Sequence, residues 1–285
     1  MSEQSQIISI SASKIKLAFE DCYGKYYFRY VKKLPVQEVV WPGTTLGEII
    51  HKYIENSIEA INNSVKLEDF KKSIVFEKIF SEYLANYKKH NKVFKYSRDI
   101  NKKDFLIKGQ KYSELFVKFI YGFIESEKNE NTILRPEYKI EFTKDNIRTS
   151  GIIDLFVDSQ AINKKVIDFK TTGDWHKWFY VDWKNDIQSI MYLYLIYESM
   201  QAFVNQYDYL ILDHNKKIIF FKGYSYTHEE IIDKIESLKR IIYKLVQMHL
   251  ESAQDLDKKF FPYFKPEKTK CFFCDFKDNC NLKVI

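Results

Sequence analysis

Four cysteines constrain this chain more than anything else in it. Cys22 stands alone near the start, whereas Cys271, Cys274 and Cys280 crowd together as C-x2-C-x5-C, and the 285 residues hold no other. Thiols grouped in this way point to a shared ligand, and completing it with Cys22 requires a fold that brings the two ends of the sequence together. A disulfide framework is the competing use, but it suits small secreted chains that cannot build a core. The first residues, MSEQSQIISISAS, carry neither the basic nor the apolar segment of a secretory leader. The longest apolar stretch, Ile190 to Tyr197, is far below spanning length. The expectation is a soluble, cytoplasmic protein with no membrane contact. In a reducing compartment, clustered cysteines more often bind metal or do redox chemistry than cross-link. Four thiolates suit tetrahedral zinc or an iron–sulfur cluster, and ordinary buried cysteines are the bland alternative; spacing alone does not choose among them.

Hydrophobic residues make up 45% of the chain, enough for a substantial core, and with only 8 Gly and 5 Pro no linker is marked. One domain over residues 1–285 is expected, with a lysine-rich helical insertion over 67–127 and a cysteine tail over 271–280. The net charge of +6 is modest, but Lys88 to Lys108 holds eight Lys/Arg against Asp99 and Asp104. Such a run invites a polyanion, although a solvated helix or loop is its commoner meaning.

Apolar spacing predicts a helix from about Ser13 to Val31, with Cys22 mid-helix on its buried side, and a second from about Thr45 to Ile61. In the insertion, Ile74, Phe80, Tyr83, Leu84 and Tyr87 form one candidate stripe, and Leu115, Phe116, Phe119, Ile120 and Phe123 another. The pattern then switches to period two around Tyr138, Ile140 and Phe142, and Ile152 to Val157 and Val166 to Phe169 read as further strands. A helix over Trp183 to Met200 follows, then a hairpin around Asp213, His214 and Asn215. Thr227 and Glu230 form a capping box that opens a long final helix. This order predicts an α/β fold, a mixed central sheet flanked by helices.

The chemistry sits on the strands. Asp154 lies inside the apolar run GIIDLFV, and Asp168 and Lys170 lie in VIDFKTTG. Buried carboxylates are costly unless something compensates, and a divalent cation does so. Residues 168 and 170 project to one strand face, so a metal-binding carboxylate and an ammonium meet at one site, with Asp154 as a second carboxylate. Hard oxygen ligands suit Mg²⁺ or Mn²⁺. The competing reading is a strand-end ion pair, which a bare D…DxK does not exclude. Gly47 and His51 lie one helical turn apart, as do Gln188 and Tyr192 on the helix after the DxK strand. Each pair alone is unremarkable. The ordered series, flanked by a cysteine before and three after, is not.

With SASKIKLAFEDCYGKYYFRYV, LGEIIHKYIE, GIIDLFV, VIDFKTTG, DIQSIMYLY and CFFCDFKDNC, most of the chain resembles the RecB-like branch of the PD-(D/E)xK nucleases. The likeness is to members with an iron–sulfur cluster, such as the AddB nuclease domain and CRISPR-associated RecB-like exonucleases. The resemblance implies a restriction-endonuclease-like core and a 4Fe-4S cluster on Cys22, Cys271, Cys274 and Cys280, with the tail packed on the N-terminal helix. It also implies metal ligation by His51, Asp154, Asp168 and the Phe169 carbonyl, Lys170 as catalytic lysine, and Gln188 and Tyr192 as a supporting motif near DNA. The further acidic position falls on Glu137 or Glu141, which share a strand face; Glu137 is preferred. Asp168 stands where many members have Glu, and the insertion makes this chain longer than the compact CRISPR-associated members. The expected function is a Mg²⁺- or Mn²⁺-dependent deoxyribonuclease, an exonuclease on DNA ends or single strands, in DNA repair or recombination. The alternative is a nucleic-acid-processing subunit of a helicase–nuclease or CRISPR spacer-acquisition assembly. The chain has no GxxxxGK(S/T) loop, so any motor is a separate chain. Lys25, Tyr26, Tyr27, Arg29 and Tyr30 are further candidates for contact with DNA, shared with packing around the cluster.

Overall fold

The computed structural model describes residues 7–36, 38–73, 75–96, 101–129, 131–159, 164–174, 176–213, 215, 218–254, 267, 271 and 274–280. The predicted positions Ile74 and His214 lie outside them. The central element is a long antiparallel hairpin of β4 (Thr132–Lys144) and β5 (Ile147–Ser159). Its turn residues, Asp145 and Asn146, have φ of 49° and 62°. That left-handed pair matches strand twist in a two-residue turn, and Asp and Asn tolerate it better than other side chains. The register then holds from Lys144 opposite Ile147 to Thr132 opposite Ser159, lapsing only where Glu137 faces Asp154.

β4 covers one edge of β5 throughout, so every other partner of β5 must use the opposite edge. Two do. β1 (Ile8–Ile10) runs parallel beside Ile147 to Thr149, and β6 (Lys164–Thr172) runs antiparallel beside Leu155 to Asp158. Between them, Ser150 to Asp154 have no strand on that edge among the described residues. β6 pairs in parallel with β7 (Val204–Asp213), which pairs antiparallel with β8 (Ile218–Ser225), completing a mixed six-stranded sheet.

Helices cover both faces. On one, α8 (Ile187–Met200), α9 (His228–Gln254) and the N-terminal helical segments pack on Ile153, Phe156, Val166 and Tyr209. On the other, α3 (Pro42–Asn62), α5 (Phe76–Lys89) and α6 (Lys102–Glu127) pack on Leu155, Val157, Ile167 and Leu210. Residues two apart on a strand share a face, yet Ile153 and Leu155 belong to different cores. Leu134 and Tyr138 of β4 do the same. Side-chain alternation therefore changes phase at the Glu137–Asp154 pair, where Glu137 has a φ of 43°. The capping box is made in both directions: the Thr227 amide donates to Glu230 Oε2 at 2.9 Å and the Glu230 amide to Thr227 Oγ1 at 3.1 Å.

Two predicted helices need correction. The first is not continuous: α1 (Ala12–Lys16) widens into a π-helical segment, Leu17–Asp21, that ends when the Cys22 amide donates to the Leu17 carbonyl at 2.8 Å. Cys22 is extended (φ −158°, ψ 122°), and α2 (Tyr23–Tyr26) begins directly after it. The break sets the following aromatics against α9. The Tyr23 hydroxyl donates to the Met248 carbonyl at 2.8 Å, and the Tyr26 hydroxyl lies 3.0 Å from His249 Nδ1. Tyr26 and Tyr27 are thus buried packing groups. Lys25 and Arg29 pair with Asp21 and Asp275 at 3.6 and 3.2 Å.

The second correction is to the insertion, which consists of α4 (Leu67–Lys72), α5, α6 and a short strand β3 (Lys92–Phe94) that pairs with β2 (Glu38–Val40). The inward face of α6 is Phe116, Val117, Ile120, Tyr121 and Ile124, while Leu115 and Phe119 of the predicted stripe are 39% and 44% exposed. That stripe was read one position too far round the helix, because aromatic residues occupy both faces.

The tail reaches the N-terminal region as expected. Phe276 is fully buried and packs on Phe28, with ring centroids 5.6 Å apart, beside the Arg29–Asp275 ion pair. The four cysteines are half-buried free thiols. Burial pushes the Cys274 thiol up, and Cys22 is near enough to add to that shift. Among the described residues no helix is long and apolar enough to cross a membrane. Phe116→Ala or Ile120→Ala should each lower stability in urea by about 3 kcal/mol, as truncation of a core side chain does. Leu115→Ala should change it by less than about 1 kcal/mol. The reverse order would restore the predicted stripe.

Candidate active site

Parting β5 from β6 leaves backbone groups that a continuous ladder would have paired, and buried groups of this kind must find other partners. Side chains from the strands and from α8 supply them. Asp154 Oδ2 accepts the Phe169 amide at 2.7 Å, and the Tyr192 hydroxyl donates to the Ile152 carbonyl. The N–H and C=O of one strand residue point to the same edge, so the Phe169 carbonyl also faces the opening beside Asp154. Its ring is buried in the core under α3.

Helices from opposite faces of the sheet meet in this opening. α3 brings His51, whose Nδ1 lies 3.6 Å from Asp154 Oδ1. Gly47, one turn earlier, is required by a close approach: a Cβ there would fall 2.7 Å from Thr171 Oγ1. Glu137 faces Asp154 across the lapsed register, and ligand atoms of His51, Glu137 and Asp154 lie within 4.8 Å of one another. A cation bound at about 2.1 Å sets neighbouring ligands roughly 3 Å apart and opposed ones about 4.2 Å apart, so this nitrogen-and-oxygen set fits Mg²⁺ or Mn²⁺ with little adjustment. The cleft at this point is about 410 Å³ and is also lined by Glu48, Glu55 and Tyr83.

From the other face, Asp168 and Lys170 meet as their spacing predicts, with Lys170 Nζ 2.5 Å from Asp168 Oδ2. Gln188 joins the two halves. Its Nε2 donates to Asp168 Oδ1 at 3.1 Å and to the Tyr192 hydroxyl at 2.9 Å, and its Oε1 accepts from Lys170 Nζ at 3.2 Å. Gly151 admits the Tyr192 ring, since a Cβ there would lie 2.8 Å from Tyr192 Cε1. Asp186 fixes Gln188 by capping α8: it accepts the Gln188 amide at 2.9 Å and pairs with Lys16 at 2.5 Å.

The charges are strongly coupled. Burial and the Asp154 carboxylate push Glu137 up to about 7, against the opposing pull of His51. Asp168 is driven up to about 6 by burial, with Lys170 opposing and Asp154 adding to the shift. Burial disfavours the Lys170 ammonium, but Asp168 and Asp154 outweigh it and hold it above its ordinary value. His51 follows the same pattern: burial opposes its charge, and Asp154 overcomes that. Burial works to raise half-buried Asp154, but His51 outweighs it and holds the carboxyl low.

The sequence-predicted residues His51, Glu137, Asp154, Asp168, Lys170, Gln188 and Tyr192 thus converge. Glu141, four residues nearer the turn on β4, is not among the groups lining this cleft and lines a neighbouring groove instead. Two contributors were missed. Asp186 carried a helix-capping signal directly before the Gln188 helix. Tyr83 carried none, because only the folding of the insertion brings it to the cleft wall.

The PD-(D/E)XK nuclease superfamily pattern matches residues 9–281. No curated protein matches. Among solved structures, the chain is similar to an exonuclease candidate from Eubacterium rectale at 12% identity, covering 100% of this chain and 92% of the other, with a TM-score of 0.53. The structure of SSO0001 aligns at 13% identity over 84% of this chain and 98% of the other, with a TM-score of 0.34.

A carboxyl raised in the folded state contributes stability fully below its unfolded value, and that contribution is lost as pH rises through the folded value. For Glu137 the window runs from about 4.5 to about 7. Glu137→Gln should therefore gain on the wild type between pH 5 and pH 8 without metal, by on the order of 1 kcal/mol after solvent screening. Saturating Mn²⁺ at about 100 times its Kd should raise wild-type stability by about 2.7 kcal/mol and the variant's by less. Thermal melts with and without metal measure both; equal shifts would remove Glu137 from the cation site.

Proposed function

The chain belongs to the PD-(D/E)XK nuclease superfamily, and we propose that it is a Mg²⁺- or Mn²⁺-dependent exonuclease that hydrolyses phosphodiester bonds at DNA ends or in single strands. The observation that carries this reading is the meeting of two charge sets at the parted strands. His51, Glu137 and Asp154 fit a divalent cation, and Lys170 stands behind them, held by Asp168 and Gln188.

His51, Glu137 and Asp154, with the Phe169 carbonyl beside them, would hold the cation, and Asp168 would join when its contact to Lys170 rearranges. A bound cation supplies Lewis acidity toward phosphate and lowers the pKa of water. Lys170 Nζ offers hydrogens to a phosphate oxygen, stabilising the charge that develops there. Gln188 sets the direction of that ammonium, and Tyr192 fixes Gln188 against the Ile152 carbonyl, so both are positioning groups. Burial in the cleft, with the Asp154 carboxylate facing it, drives Glu137 up, and its carboxylate would be favoured once a cation is held there.

The reading extends to the thiols. Cys22, Cys271, Cys274 and Cys280 would hold a 4Fe-4S cluster that clamps the tail to the N-terminal segment. Three features support this: four free thiols, the proximity of Cys22 to Cys274, and the Phe28–Phe276 and Arg29–Asp275 contacts that bring the tail over the π-helical segment Tyr27–Val31 that follows α2.

End-labelled single- and double-stranded DNA and a covalently closed single-stranded circle should separate the possibilities. Linear DNA is expected to be degraded with Mg²⁺ or Mn²⁺, chelator to stop it, and the circle to survive. Lys170→Ala and Asp168→Asn should each reduce cleavage by at least 100-fold, an order of magnitude set by the loss of one electrostatic stabiliser. Metal-dependent cleavage retained in both would overturn the assignment. Anaerobically purified protein should contain about four iron and four sulfide per chain, and Cys22→Ala should lose them together with thermal stability. Stoichiometric zinc would remove the cluster.

A further inference from the structure

A second cavity of about 800 Å³ adjoins the cation cleft, and nothing so far assigns it. The two share one wall, made of Ile152, Gln188 and Tyr192. The floor of the second cavity is the unpartnered edge of β5 at Ser150, Gly151 and Ile152; its sides are α1, α8 and the Lys139–Glu141 stretch of β4. It is thus the same gap between β1 and β6, continued away from the carboxylates.

The two compartments differ in charge. The cation cleft is lined by Glu48, Glu55, Glu137 and Asp154 against Lys52, which is paired with Glu55, and His51, so carboxylates predominate and repel a phosphodiester unless a cation intervenes. The second cavity offers Lys16 and Lys139 against Glu141, with the hydroxyls of Ser11, Ser13 and Ser150 between them. Lys139 is exposed and has no carboxylate within 4.0 Å among the described residues. Lys16 is one-third exposed and spends one hydrogen on Asp186, leaving others to donate. Ile152 presents an apolar side chain that is 46% exposed at the junction. Cations, hydroxyls and an apolar surface along one groove match a backbone phosphate, its sugar and an unstacked base.

We infer that this groove seats one strand of a polynucleotide next to the phosphate presented at the cation cleft, with Lys139 and Lys16 on its backbone and Ile152 under a base. The assignment rests on the nuclease reading above and adds to it the substrate form and the path. A cavity of this size holds on the order of one or two nucleotides, so the strand enters unpaired, and a duplex must open at its end to be cut. The tie from Lys16 to Asp186 gives strand binding a connection to Gln188, because Asp186 caps the helix that carries it.

The test uses full-length protein, Ca²⁺ in place of the active metal, and a fluorescent oligothymidylate. Each phosphate contact contributes about 0.7 to the slope of log K against log salt for single strands. Lys139→Glu should therefore lower that slope by about 0.7 or more and, in separate assays with Mg²⁺ or Mn²⁺ restored, raise KM on single-stranded DNA several-fold. Hydrolysis of a small phosphodiester, the p-nitrophenyl ester of thymidine 5′-monophosphate, should be unchanged, showing the cation cleft intact. Independently, an oligonucleotide carrying 4-thiothymidine should photo-crosslink wild-type protein to peptides containing Ser11 to Lys16 or Lys139 to Glu141. An unchanged slope, or crosslinks confined to the lysine-rich helices α5 and α6, would overturn the groove assignment while leaving the nuclease reading standing. Failure of wild-type protein to cleave either substrate would instead overturn that reading.

Discussion

A change of strand partner governs this structure. β5 is held along one edge by β4, but on the other it passes from β1 to β6, and the residues between have no strand beside them. A sheet normally keeps its two covering layers apart. At this gap α3 from one side and α8 from the other line the same cleft, so an imidazole, three carboxylates, an amide, a phenol and an ammonium can converge. The site's own side chains repair the gap: Asp154 takes the Phe169 amide, and Tyr192 caps the Ile152 carbonyl. Groups placed for chemistry therefore also satisfy the backbone, which explains how so polar a site persists within a sheet whose faces are otherwise apolar.

The cost of the arrangement is concentrated at Glu137. Its backbone lies in the left-handed region, where a non-glycine residue costs on the order of 1–3 kcal/mol, and its carboxyl faces another at close range. Both costs follow from one act, the change of phase that turns Glu137 and Asp154 toward α3 while Tyr138 and Ile153 stay with the core under α8. Removal of the strain would restore regular alternation and send Glu137 elsewhere.

What the sequence made legible follows from the range of its signals. Asp168 and Lys170 lie two apart on a strand, Gln188 and Tyr192 four apart on a helix, and Thr227 and Glu230 form a local cap; in each case one element's periodicity fixes the geometry, and each met as expected. The break at Cys22 was hidden, because a π-helical segment preserves an apolar pattern while shifting its phase. The stripe of α6 was displaced because Phe119, exposed, stacks on Phe123 at the edge of the core, and such a residue looks the same in sequence as a buried one. The parting of β5 left no local trace at all, since it is a property of three strands together. The choice between Glu137 and Glu141 depends on the same parting, which leaves Glu137 opposite Asp154 in the cleft.

The turn at Asp145 and Asn146 has a role well beyond its own location. Glu137 and Asp154 each stand eight residues from it, one down each arm of the hairpin. A two-residue turn allows one register, so it acts as the origin of a ruler whose marks on the two arms must agree for the carboxylates to face each other. Length there is consequently constrained as tightly as residue identity is in the cleft. One residue added at this exposed bend would displace one carboxylate from the other by a strand step, although every side chain of the site would still be present.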